Sequence, residues 1–198
     1  MQILQIIASA QGANSYSTRL SQGIIDKLRA AHPGSTVVVR NLATHPLPYL
    51  EEAHLQAYFT PAEGRSPAQQ QAVRHSDEII AELLAADVLV IGSPFYNFTI
   101  AASLKSWLDH LTRANLTFRY TEAGPEGLVT GKKVYVAIAS GGVYSQGPAQ
   151  ASDFAAPYLR QILGFLGMTD VTIARAEGVK LPEFQPTALQ KGLASVAV

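Results

Sequence analysis

Three stretches of this chain gather residue types that hold a ligand better than they pack a core. The first, Ser9-Ala10-Gln11-Gly12-Ala13-Asn14-Ser15-Tyr16-Ser17-Thr18, sets several hydroxyls ahead of a helical pattern that opens at about Ser17. The first N–H groups of a helix lack partners and its dipole is positive there, so a phosphate is the natural occupant. Simple N-capping by Ser15 or Ser17 would account for one serine, but not for a whole Ser/Asn/Gly loop. The second, Ser93-Pro94-Phe95-Tyr96-Asn97-Phe98-Thr99-Ile100, puts three aromatics where turn chemistry ordinarily places Gly, Asp and Ser. Such rings suit a planar partner, and Asn97 offers it both a donor and an acceptor. The alternative is a satellite apolar cluster beneath the loop. The third, Ser140-Gly141-Gly142-Val143-Tyr144, has paired glycines that let backbone approach a ligand and aim N–H groups at developing negative charge. A plain turn would need the same two glycines.

The elements that position these loops follow from the apolar patterning. Gln2 to Ala8, Thr36 to Arg40, Asp87 to Ile91, Lys133 to Ser140 and Asp170 to Ala176 are Val- and Ile-rich runs with little alternation, as in strands covered on both faces. Helical spacing separates them: Leu20, Ile24, Ile25 and Leu28 after the first strand, and Leu104, Trp107, Leu108 and Leu111 after the third. Ser66-Pro67-Ala68-Gln69 is a capping box with Pro at N1, opening a helix through Ile79, Ile80, Leu83 and Leu84. Further helices follow Ser152, with Phe154, Tyr158, Leu159, Ile162, Leu163 and Leu166, and surround Leu189 and Leu193. Strand–helix alternation predicts an α/β fold: a five-stranded parallel sheet with helices on both faces, in the flavodoxin-like order 2-1-3-4-5. Ligands of such sheets sit at the carboxyl ends of the strands, at the switch point between strands 1 and 3, where the three loops meet. The 198 residues predict one domain, 1–198, with a loop excursion at about 115–133.

Composition and missing motifs narrow the chemistry. Lys plus Arg and Asp plus Glu are 15 each, so there is no basic excess for nucleic acid. Charged residues are only 15% and hydrophobic residues 47%, enough for a large core and a subunit contact. With no cysteine, thiol nucleophiles, thiolate metal sites and disulfides are excluded. The five histidines show no i, i+3 or i, i+4 pairing among themselves, so no metal site is expected, and His110 reads as a packing or surface residue. A serine-hydrolase elbow fails because Val143 stands where Gly is needed before Tyr144-Ser145-Gln146-Gly147. There is no G-x-G-x-x-G in the first loop and no P-loop string, which disfavours dinucleotides bound Rossmann-style and ATP. A hydroxyl-lined loop without lysine suits a ribityl monophosphate such as FMN. No uncharged run reaches membrane-span length and no basic leader opens the chain, so a cytoplasmic protein with no membrane partner is expected.

Ser15-Tyr16-Ser17, Pro94-Phe95-Tyr96-Asn97-Phe98, Thr117-Phe118-Arg119-Tyr120-Thr121 with Gly124-Pro125-Glu126-Gly127-Leu128, Gly141-Gly142 and Gly164-Phe165-Leu166-Gly167 together resemble the bacterial FMN-dependent NADH azoreductases, also called FMN-dependent NADH:quinone oxidoreductases. The resemblance runs in order along nearly the whole chain. It implies a flavodoxin-like homodimer with one tightly bound FMN per subunit, NADH as electron donor and small quinone or azo acceptors reduced by two electrons in ping-pong fashion. The candidate cofactor residues are then Ser9, Ser15, Tyr16, Ser17, Pro94, Phe95, Tyr96, Asn97, Phe98, Ala139, Ser140, Gly141, Gly142 and Tyr144. Asn97, Phe118 and Tyr120 are the candidate substrate residues, the stretch Thr117 to Lys133 being a functional loop at a subunit interface that completes the site. The other reading of Phe118 and Tyr120 is alternation in an edge hairpin. No side chain is expected to act as a nucleophile, since the flavin carries the chemistry. A flavodoxin-like electron carrier without its own substrate is the alternative, but such carriers are strongly acidic and this chain is neutral.

Overall fold

The computed structural model describes residues 1–198, the side chain of Ala13 excepted. The five apolar runs form the strands β1 (Gln2–Ile7), β2 (Thr36–Asn41), β3 (Val88–Pro94), β6 (Lys133–Ala139) and β7 (Asp170–Ala176). They pair in parallel in the order β2-β1-β3-β6-β7. That is the flavodoxin-like order 2-1-3-4-5 once a separate hairpin, β4 (Phe118–Thr121) and β5 (Gly124–Gly127), is set aside. All seven residues of β3 are buried, because apolar helices cover both faces of the central strand.

Successive strand residues feed opposite cores. Ile3, Val88, Val90, Tyr135 and Ala137 pack against Leu20, Ile24, Ile25 and Leu28 of α1 (Tyr16–Ala31) and Ala188 of α6 (Gln185–Ala194). Leu4, Ile6, Leu89, Ile91, Val134 and Val136 pack on the other side against α3 (Pro67–Ala85), α4 (Ala102–Leu111) and α5 (Ala155–Phe165). The period-2 direction of strand side chains produces this division. The Ser66 capping box forms as its sequence predicts, with Gln69 N–H donating to Ser66 Oγ and Gln69 Oε1 accepting from Ser66 N–H.

Three features differ from the sequence reading. β3 runs on to Pro94, so Ser93 and Pro94 belong to the strand; the ladder to β6 continues to Pro94 opposite Ala139, and Phe95 N–H donates to Ala139 O at 2.9 Å. A short helix, α2 (Glu52–Phe59), lies between β2 and α3 and packs on α3. The stretch expected as a long loop is the hairpin β4–β5, antiparallel with Phe118 opposite Gly127 and Tyr120 opposite Pro125. Its base lies flush on the end of α5: a Cβ on Gly127 would stand 2.1 Å from Gly167 N, and Val129 N–H donates to Leu166 O. Gly167 itself has φ +103, the conformation that closes a helix with a glycine.

Candidate active site

The loop after β1 turns once through Gly12–Asn14 and delivers Ser15 as the N-cap of α1, which begins at Tyr16, one residue ahead of the expected start. Ser15 Oγ accepts from Thr18 N–H at 3.3 Å and lies 3.0 Å from Ser17 Oγ. It is the sole side-chain acceptor in the first turn among the described residues, so other first-turn N–H groups stay available. Ser9, Ser15 and Ser17 are each at most 2% exposed. The buried hydroxyl of Thr18 has no partner among the described residues. What lets α1 come this close is Gly92 on β3, where a Cβ would lie 3.2 Å from both Ser17 O and Ser21 Oγ. Gln5, buried on β1, donates to Ser21 Oγ, which donates to Thr18 O, so the helix start is pinned to the sheet.

Beyond β3 the chain makes a two-residue turn closed by Tyr96 N–H to Thr99 O and Thr99 N–H to Tyr96 O. Its central residues, Asn97 (φ +48) and Phe98 (φ +73), both lie in the left-handed region. Asn tolerates that conformation, but a bulky Phe there is an outlier of the kind that costs about 1–3 kcal/mol and clusters at functional sites. Phe98 O accepts from Phe154 N–H at 3.0 Å, which holds the turn. Ser9 and Tyr96 hydroxyls share a hydrogen bond at 3.4 Å, joining this turn to the first loop.

Past β6, the carbonyls of Ser140, Gly141 and Gly142 accept from Val179, Lys180 and Gly178 N–H respectively. The N–H groups of Gly141 and Gly142 meet no acceptor among the described residues. Ser140 is buried, its hydroxyl donated to Gly142 O. The Tyr144 ring tilts against Phe95 with centroids 4.4 Å apart and meets Phe98 edge-on at 6.3 Å.

These loops enclose a cleft of about 190 Å³ lined by Ser9, Gln11, Ser15, Tyr16, Ser17, Pro94, Phe95, Tyr96, Ala139, Gly141, Val179 and Lys180. Nine sequence candidates line it directly: Ser9, Ser15, Tyr16, Ser17, Pro94, Phe95, Tyr96, Ala139 and Gly141. Asn97 and Phe98 stand exposed on the adjoining turn, and Ser140, Gly142 and Tyr144 lie in the flanking loop. Of the substrate candidates, Tyr120 is 76% exposed on the hairpin. Phe118 does not reach the cleft of its own chain. It is 7% exposed, its ring 4.7 Å from that of Phe165, because the hairpin packs its first residue on α5. Sequence reasoning missed Gln11, Val179 and Lys180. Lys180 puts a cation beside a loop expected to have none; its position just past the carboxyl end of the fifth strand was the available signal.

Over residues 1–197 the chain matches the family described as "Flavodoxin-like fold". It is 52% identical over 179 residues to an FMN-dependent NADH:quinone oxidoreductase of Herminiimonas arsenicoxydans, covering 90% of this chain and 88% of that one. Among solved structures, an azoreductase from Bacillus anthracis superposes with a TM-score of 0.90 at 33% identity, over 98% of this chain and 95% of the other. An FMN-dependent NADH-azoreductase of the same species, in complex with FMN, gives a TM-score of 0.86 at 25% identity over 98% and 97%. Fold, cleft and relatives agree, and the chain belongs to the flavodoxin-like fold family and, within it, to that of the FMN-dependent NADH:quinone oxidoreductases.

Proposed function

We propose that this chain is an FMN-dependent NADH:quinone oxidoreductase that also reduces azo compounds, one cleft serving donor and acceptor in turn. The observation that carries the reading is a conjunction at the β1/β3 switch point. There an anion-ready helix start adjoins an aromatic wall and two unpartnered peptide N–H groups.

The residues fit the cofactor. Ser9, Ser15, Ser17 and the first turn of α1 would hold its phosphate, with Lys180 adding positive charge. Phe95, Tyr96, Phe98 and Tyr144 would flank the ring system, while Asn97 and the N–H groups of Gly141 and Gly142 would meet its polar edge. The buried Thr18 hydroxyl, which has no partner in the described protein, stands at the same helix start. When bound, FMN supplies hydride acceptance from NADH and two-electron delivery to the acceptor. The side chains bind, stack and exclude water, and none is required as a nucleophile. The names of the relatives and the FMN complex of a structural neighbour support the same cofactor and acceptor class.

The unit of activity in this reading is a homodimer of one-domain subunits, in which the hairpin carries Tyr120 toward the partner's cleft as a wall for nicotinamide or acceptor. Exposed aromatics, Tyr120 and Phe98 among them, and a charged fraction of 15% support a buried subunit contact. No helix is long and apolar enough to cross a membrane. We place the enzyme in the cytoplasm, where NADH is plentiful and where the chain's lack of cysteine is no handicap.

The deciding experiment is an absorbance spectrum of the purified protein before and after anaerobic NADH. Flavin bands that bleach with NADH and return on adding a quinone are the expected result; a colourless protein that also fails to take up added FMN would overturn the proposal. Double-reciprocal plots at several quinone concentrations should be parallel, and intersecting lines would replace alternation by a ternary complex.

A further inference from the structure

The Tyr144 loop that flanks the cleft hangs from one carboxylate. Glu177, the residue after β7, accepts from Tyr144 N–H and Ser145 N–H at 2.9 Å each through Oε1, and from the Ser145 hydroxyl at 2.5 Å through Oε2. Among the described residues these are the only hydrogen bonds from residues 143–146 to the body of the fold. Apart from the contact of the Tyr144 ring with Phe95 and Phe98, the segment borders open space. A cavity of about 160 Å³ adjoins Val143, Ser145 and Gln146, and another of about 370 Å³ adjoins Tyr144 and Ser145.

The carboxylate is itself braced. Its side chain is 12% exposed and lies 3.4 Å from Arg175 Nη1, while Arg175 Nη2 donates to Asp153 Oδ2 at 2.5 Å. Asp153 Oδ1 accepts from Ala155 and Ala156 N–H at the start of α5, and its neighbour Phe154 donates to Phe98 O. Charge-assisted bonds therefore run from the Tyr144 loop through Glu177 and Arg175 to Asp153, and the backbone bond of the next residue, Phe154, continues the connection to the strained Asn97–Phe98 turn. Those are the two segments whose aromatic rings, Tyr144 and Phe98, meet beside Phe95, which lines the cleft. A buried carboxylate is costly without such partners, and this one has them all.

We propose that Glu177, braced by Arg175, is a positioning residue that holds the Tyr144 ring in place against Phe95 and Phe98. It thereby controls how firmly the flavin ring, as opposed to its phosphate, is held. The inference rests on the reading that a flavin occupies this cleft.

Riboflavin, which has the ring and lacks the phosphate, separates the two ends. In fluorescence titrations of flavin-stripped protein, Glu177→Ala should raise the dissociation constants of FMN and riboflavin by the same factor, about tenfold or more. Glu177→Gln keeps an acceptor for the two N–H groups and loses the charge toward Arg175, so it should recover part of that affinity. Ser15→Ala should weaken FMN alone. The visible spectrum of bound flavin should change in Glu177→Ala and stay as wild type in Ser15→Ala, a contrast that general loss of stability would not give. Amide exchange of Tyr144 and Ser145 in the flavin-free protein reads the clamp without any cofactor, and should accelerate in both Glu177 variants. Wild-type flavin affinities and spectrum in Glu177→Ala, or unchanged exchange at those two amides, would overturn the proposal. If the wild-type chain binds no flavin, the cofactor reading falls and takes the ring-positioning role with it; faster exchange would then leave Glu177 as a loop clamp only.

Discussion

Replacing Ser15 by Asp separates the two jobs of one side chain. Ser15 Oγ caps α1 through Thr18 N–H and, with Ser17 Oγ 3.0 Å away, lines the proposed phosphate end of the cleft. Aspartate caps a helix as well as serine does and suits the positive end of the dipole, so flavin-free stability should hold within ~0.5 kcal/mol. Toward a phosphate the same carboxylate is hostile. Two like unit charges about 4 Å apart repel by about 4 kcal/mol at an effective dielectric constant near 20. Salt and the open mouth of the cleft reduce that figure. The charge-assisted bond that the hydroxyl no longer gives is worth about 1.5–3 kcal/mol on its own. A net loss of ~3 kcal/mol or more remains, which is at least about a hundredfold rise in the FMN dissociation constant. The assay is paired: thermal melts of the flavin-free protein, and fluorescence titrations with FMN and with riboflavin. Unchanged melting, much weaker FMN and unaltered riboflavin binding would bear the reasoning out. FMN bound by Ser15→Asp as tightly as by wild type would refute it, because no phosphate could then lie at this helix start.

Lys180→Met should weaken FMN several-fold and flatten the salt dependence of its binding while leaving riboflavin unaffected, checked by titration at two ionic strengths. Tyr120→Ala should shift the KM for quinone and for NADH with FMN content unchanged, and dilution to monomer should abolish turnover; steady-state kinetics beside sedimentation tests both, and full activity in a monomeric sample would remove the shared site. His110 is fully buried, with Tyr58 donating its O–H to Nδ1 at 2.5 Å and Nε2 bonded to Pro48 O at 2.9 Å, and burial holds its pKa below the ordinary 6.5. The unfolded chain therefore takes up the proton first, so the stability this residue confers is complete above about pH 7 and lost as pH falls below 6.5; denaturant titrations at pH 7.5 and 5.5 should show that loss in the wild type and a smaller one in His110→Gln.

The sheet and both faces were legible because each buried strand is an unbroken apolar run and each covering helix has its stripe, Leu104, Trp107, Leu108 and Leu111 among them. Two elements escaped. In α2 only His54 and Ala57 are buried, so there is no stripe to read, and the helix starts from a reciprocal bond between Glu51 and His54. The second hairpin strand, Gly124–Gly127, is Gly-Pro-Glu-Gly, with no strand-forming residue at all. It is held by what lies under it: the backbone at Gly167 fits against Gly127 only because neither has a side chain. At the site, the residues of the first three loops announced themselves by type, hydroxyls in one and aromatics in another. Lys180 and Glu177 did not, since nothing local distinguishes Glu177-Gly178-Val179-Lys180. Tertiary pairing, such as Lys180 N–H to Gly141 O, brings them to the cleft.

Gly92 has a bearing on how such a protein can diverge. Because no side chain stands at Gly92 between β3 and the first turns of α1, the hydroxyl-bearing helix start is fastened to the centre of the sheet, through Gln5 and Ser21 as well as by contact. The aromatic end is fastened separately, by surface turns and side-chain charges. Variants that alter Phe95, Phe98 or Tyr144 therefore change how the ring is held while the phosphate anchor stays in place, and selection for a new acceptor need not begin by rebuilding that anchor.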